Sequence, residues 1–145
     1  MSFLDAINVA ASGLTSERLR INVISSNIAN INTTRTPEGG PYKRKDVVFE
    51  AEPLEKGSFE NELENSMVSE KVKVTEIVED PRPPIMKYEP GHPDADENGY
   101  VKYPNINIME EMVNLINASR SYEANVTTMK ATKAMAMKAL DILRT

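Results

Sequence analysis

The chain has 145 residues, with 22 acids against 17 bases, one histidine and no cysteine. The lack of cysteine excludes a disulfide framework and thiolate metal sites, and a net charge of −5 with a single short basic run speaks against a nucleic-acid partner. No run of 18 apolar residues offers a membrane span, and Met1–Asp5 lacks the basic start and apolar stretch of a cleavable secretory signal.

All nine prolines lie between Pro37 and Pro104, which leaves both ends free to form long helices. Charge divides at the same points. Residues 1–35 and 105–145 are close to neutral, whereas 36–104 carry sixteen acids and nine bases. Near-neutral ends can pack side by side without mutual repulsion, and an acidic middle suits a solvent-facing position. The expected organisation is an N-terminal helix within 1–35, a Pro-rich loop with a small β subdomain over 36–104, and a C-terminal helix within 105–145. The fold class is mainly α with a small irregular β-rich middle, the terminal helices packed as a coiled-coil-like pair.

The first helix is predicted from about Phe3 to about Asn30. Leu4 opens its apolar face, and Ile7, Leu14, Ile21 and Ile28 then repeat every seven residues. Gly13 is the weak point, at a cost near ~1 kcal/mol relative to alanine. The cluster Asn27, Asn30 and Asn32 is read as the stop, because asparagine tolerates the left-handed conformation that closes helices. In the middle, strands are expected over Tyr42–Glu50, Val68–Val78, Ile85–Tyr88 and Tyr100–Tyr103, with Val68, Val72, Val74 and Val78 on one face. Lys56–Ser66 reads as an acidic, mobile segment.

Pro104 closes the last extended segment, and Asn107 is placed to cap the second helix. Its seam reads Ile108, Met112, Leu115, Ser119, Tyr122, Val126, Met129, Lys133, Ala136, Leu140 and Leu143. A helix of about 37 residues spans ~55 Å at ~1.5 Å per residue. That is longer than the first helix can cover, so packing between molecules is expected. The polar seam positions Arg18, Ser25, Ser119 and Lys133 are candidates for setting register between neighbours.

Chemistry-bearing patterns are sparse. Asp94, Asp96, Asn98 and Gly99 copy the first half of a calcium-binding loop, but Asn105 stands where the bidentate glutamate belongs, and an Asx-rich turn is the better reading. His92 sits between prolines without a partner for zinc or nucleophilic catalysis. Lys43, Arg44 and Lys45 read as a solvated strand face. No catalytic residues, cofactor or metal are therefore expected, and the role expected is structural.

Two terminal segments carry a family resemblance: ASGLTSERLRINVISSNIANINTT from Ala11 and NINIMEEMVNLINASRSYEANVTTMKATKAM from Asn105. They resemble the end motifs of the bacterial flagellar axial proteins, which form rod, hook and filament. Between them VEDPRPP from Val78 and YEPGHPDADENGYVKYPNIN from Tyr88 are similar to the central segment of a proximal rod component. The resemblance implies a subunit that stacks helically, with paired terminal helices in the wall of a tube around an export channel and the β-rich middle outward. It further implies export through the flagellar type III apparatus without a cleaved signal, and a place in the basal-body rod within the periplasmic space. The implied partners are copies of the chain, other rod proteins, and export-gate or membrane-ring junction proteins. Asn27, Asn30, Arg120, Tyr122, Glu123 and Asn125 match the family motif and become candidates for specific lateral contacts beside the two seams. A different axial component and a free-standing coiled-coil adaptor are the competing readings.

Overall fold

The computed structural model describes residues 3–53 and 70–143, and within them two long helices flank two small antiparallel hairpins. The expected segment Lys56–Ser66 and strand residue Val68 lie outside the described residues. Helix α1 spans Phe3–Ala29 and α2 spans Ile108–Leu143. Strands β1 (Lys45–Pro53) and β2 (Glu70–Glu79) pair with each other, as do β3 (Ile85–Tyr88) and β4 (Tyr100–Tyr103).

The helix ends form as local chemistry directs, with one correction. Asn107 caps α2 through its side-chain oxygen, which accepts the Met109 amide at 3.0 Å, and its carbonyl accepts Glu111 N–H at 3.0 Å. The asparagines after α1 do not close it in the left-handed conformation: among the described residues only Gly39, Gly40 and Gly99 have positive φ. Instead the Ser26 carbonyl accepts both the Asn30 backbone amide at 3.1 Å and the Asn30 side-chain amide at 2.9 Å, which ties Asn30 back over the last turn. Asn27 lies inside the helix and is turned inward.

The two short strands match their predicted limits, whereas β1 begins three residues later than Tyr42. Opposite Val48 and Phe49 the ladder passes from Glu76 to Val74, which leaves Thr75 unpaired as a bulge in β2. A bulge reverses the alternation of faces. Val72, Val74 and Ile77 therefore share a face with Val47 and Phe49, while Val78 pairs with Asp46 on the other. The single valine face read from the sequence is broken there.

In the 92–100 loop, the Asp96 carboxylate accepts the amides of Asn98 and Tyr100 at 2.9 and 2.8 Å, an Asx turn. Gly99, at φ 81°, has no room for a side chain: a Cβ would stand 2.9 Å from the Tyr88 ring.

Helix α1 is the central element, and both α2 and the β1–β2 hairpin pack on it. Ser12 and Ser16 face the hairpin, Ser12 Oγ accepting Val72 N–H at 3.1 Å and Ser16 Oγ donating to Val72 O at 3.4 Å. One step of ~100° around the helix, Gly13 faces α2. A further step brings the Leu14 row to the flank of the helix pair remote from the hairpin.

Candidate assembly interface

The two helices run antiparallel in step. Asn27 Nδ2 donates to Glu111 Oε2 at 3.0 Å, and a Cβ on Gly13 would lie 2.8 Å from Asn125 Nδ2. One offset relates both pairs and sets Arg20 level with Ala118 and Ala6 level with Thr132, while the Arg20 guanidinium reaches over the Phe49 ring of β1 at 5.9 Å. At its foot the seam is tied by a buried polar cluster. Asn27, 0% exposed, donates through Nδ2 to Lys45 O at 2.8 Å as well, and its Oδ1 accepts Lys45 N–H at 2.9 Å and the Tyr42 hydroxyl at 3.1 Å. Glu111, 1% exposed, accepts Arg44 Nε at 2.8 Å on its other oxygen. Burial works against the Arg44 charge, but the hydrogen bonds to Glu111 and Asp46 outweigh it and raise the guanidinium pKa.

The contact row on α1, Ala6, Gly13, Arg20 and Asn27, is one residue before the aliphatic row Ile7, Leu14, Ile21 and Ile28. On α2 the row Glu111, Ala118, Asn125 and Thr132 likewise precedes Met112, Ser119, Val126 and Lys133. The rows that face each other most directly are thus small and polar, with buried Ala10 and Ile24 on α1 and half-buried Leu115, Tyr122 and Met129 on α2 beside them, a phase displaced from the one the aliphatic heptads suggest. Gly13 has a reason here, since it allows Asn125 to approach. Within the seam Glu17 Oε2 is buried without a hydrogen-bond partner among the described residues.

The aliphatic residues singled out on α1 are consequently only half-buried at Ile7, Leu14, Ile21 and Ile28, and Leu4 is exposed. Leu115, Tyr122 and Met129 fall in the half-buried rows shared with the intramolecular seam, and Val126 and Asn125 are half-buried too. Ile108, Met112, Arg120, Glu123 and Leu140 are exposed. Asn30 is half-buried over the last turn of α1, and Leu143 ends α2 with its side chain outside the described residues. Arg18, Ser25 and Lys133 face solvent and Ser119 is half-buried, all outside the small-residue rows.

Three features were not found by sequence reasoning. The aliphatic pattern hid the row Glu111, Ala118, Asn125 and Thr132, although its sevenfold spacing is legible. Arg44, in a run whose sequence suggests a solvated strand face, has a side chain only 16% exposed against Glu111. Met109, Val113 and Ile116 join Ile108 and Met112 in an exposed apolar stripe on the first turns of α2. Residues 136–143 of α2 extend ~12 Å past the described start of α1, with Met137 and Leu140 exposed.

A long antiparallel helix pair joined by a small β-rich middle, with apolar rows left half-covered, is the form of a chain built to pack against others, and the family models place it among flagellar rod subunits. Residues 7–35 match the family model "Flagella basal body rod protein", and 97–142 match "Flagellar basal body rod FlgEFG protein C-terminal". The chain is similar over nearly its whole length to proteins named flagellar basal-body rod protein FlgC: 46% identical to that of Borreliella burgdorferi, with 99% of each chain covered. Identity is 44% to that of Bacillus subtilis, over 98% of this chain and 99% of the relative, and 38% to that of Salmonella typhimurium, over 98% of each. The chain belongs to the FlgC family of flagellar basal-body rod proteins, and its role is that of a structural subunit of the proximal rod.

Proposed function

We propose that the chain builds part of the wall of the proximal rod by packing its half-covered helix faces against copies of itself and other rod proteins. The observation that carries this reading is the phase of the helix pair. The fold spends small residues on its own seam and leaves the Ile7, Leu14, Ile21 and Ile28 row, the Ile108–Ile116 stripe and the end of α2 incompletely covered. Each large aliphatic side chain fully withdrawn from water contributes ~1.5–3 kcal/mol, so these surfaces supply ample contact for a shaft that carries torque. Arg120 and Glu123, exposed on α2, serve lateral contacts. The domain division at residues 35 and 105 separates axial helices from an outward-facing middle.

The remaining parts of this reading are that the subunit passes through the type III export apparatus, occupies the periplasmic section of the basal body, and meets the export-gate or membrane-ring junction proteins. Its work is mechanical rather than catalytic, in keeping with relatives named as rod proteins. Among the described residues no helix is long and apolar enough to cross a membrane.

The test is complementation of a deletion strain, with electron cryotomography of motors and a swimming assay. Ile21→Asp and Met112→Asp, at surfaces the folded subunit leaves partly open, are expected to be exported and soluble but to leave motors without a rod. Normal rods in both variants would sink the assignment of these faces. Leu115→Asp is a poorer probe, because Leu115 lies in the row shared with the intramolecular seam.

A further inference from the structure

The sequence offers its helices two seams, and the fold uses the less apolar one. Turning α1 by ~100°, the step between successive residues, would replace Ala6, Gly13, Arg20 and Asn27 in the seam with Ile7, Leu14, Ile21 and Ile28. The matching turn of α2 exchanges Glu111 and Asn125 for Met112 and Val126. The rows brought in by the turn are the more apolar on both helices. What opposes the turn is the cluster at the foot of the seam. Asn27 has all of its hydrogen-bonding groups engaged, by Lys45, Tyr42 and Glu111, and Glu111 has one oxygen on Asn27 and the other on Arg44. Turning either helix would pull these fully buried groups apart and leave each unpaired out of water.

We propose that Asn27, Glu111 and Arg44 act as a register lock, positioning residues whose task is to hold α1 and α2 in the small-residue phase. The lock keeps the Ile7–Ile28 row out of the subunit's own seam and available to the helix of a neighbouring rod subunit. It rests on the assembly reading above and adds to it a reason for burying charge in a small fold. A polar group at one seam position fixes the register of a helix pair at some cost in stability, and here the cost secures an outward aliphatic face.

The chain has no native cysteine, so paired cysteines report the phase directly. Ala6→Cys with Thr132→Cys marks the observed seam, and Ile7→Cys with Lys133→Cys marks the turned one. In the otherwise native chain, mild oxidation of the monomer is expected to close the 6–132 pair at least tenfold more than the 7–133 pair. In the triple variant Asn27→Leu, Arg44→Met, Glu111→Leu the preference is expected to fall to parity or invert. That variant should unfold at an unchanged or higher temperature, while rod incorporation drops at least tenfold. A residue group that merely stabilised the fold would instead lower melting temperature and assembly together.

An unaltered 6–132 preference, or native rods from the triple variant, would overturn the lock. Should the triple variant fail to fold, Glu111→Gln decides, since its amide oxygen can accept from only one of Asn27 and Arg44. The 7–133 cross-link must then rise at least threefold at unchanged helix content, and no rise overturns the proposal. Swimming by the deletion strain itself would refute the rod reading, and the monomer cross-links would still decide the lock.

Discussion

Asn27 does more than any other side chain to join the parts of this fold, because it supplies a second backbone-like edge to Lys45 while holding Glu111. Asn27→Ala would leave the Lys45 amide and carbonyl short of partners and one Glu111 oxygen bare. The expected cost is about 3 kcal/mol or more, a fall in melting temperature on the order of 10 °C by calorimetry. Gly13→Ala should be close to neutral, within about 1 kcal/mol in chemical denaturation, since the gain in helix propensity offsets displacing the flexible amide of Asn125. Gly13→Val, branched at Cβ, should separate the helices and destabilise clearly. At the other end, Lys87 first and then the Tyr103 hydroxyl hold the Glu89 carboxyl below its ordinary 4.5. A lowered carboxylate stabilises the fold above its ordinary pKa, and that stabilisation is lost as acid protonates it in the folded state. The near-ultraviolet dichroism of the edge-on Tyr88–Tyr100 pair in the β3–β4 hairpin, centroids 5.3 Å apart, should therefore be full at neutral pH and decline in part as the pH falls below 4.5. A flat acid profile would show that Glu89 contributes nothing there.

Elements were more legible than their relations. Both helices could be read because proline is confined to the middle and apolar residues repeat at sevens, and β3 and β4 because turn residues bracket short alternating runs. The phase of the helix pair could not be read from hydrophobicity, since the buried rows are the less apolar ones. Nor could Glu111 be singled out. A glutamate in the first turn of a helix reads as a partner of the helix dipole, and the arginine that draws it inward lies 67 residues away in sequence. The bulge at Thr75 was equally silent, because alternation in β2 looks unbroken until the ladder to β1 is known. Asn27 was marked by motif resemblance, but for a lateral contact; its position inside the fold depends on Lys45 and Tyr42, which periodicity cannot bring together.

At the scale of the whole molecule, the subunit is a layered corner with α1 at its vertex. Among the described residues neither strand of the β1–β2 hairpin packs directly on α2. Force applied to the hairpin therefore reaches α2 by two kinds of route: through the Ser12 and Ser16 contacts into α1 and across the seam, or at the foot of the seam, where Lys45 holds Asn27 and Arg44 holds Glu111. The first is spread along the helix and shears; the second is concentrated at one end and pulls. A subunit wired in this way is expected to pass a twist to α2 while its hairpin yields a little, as a stiff bracket bolted at its base.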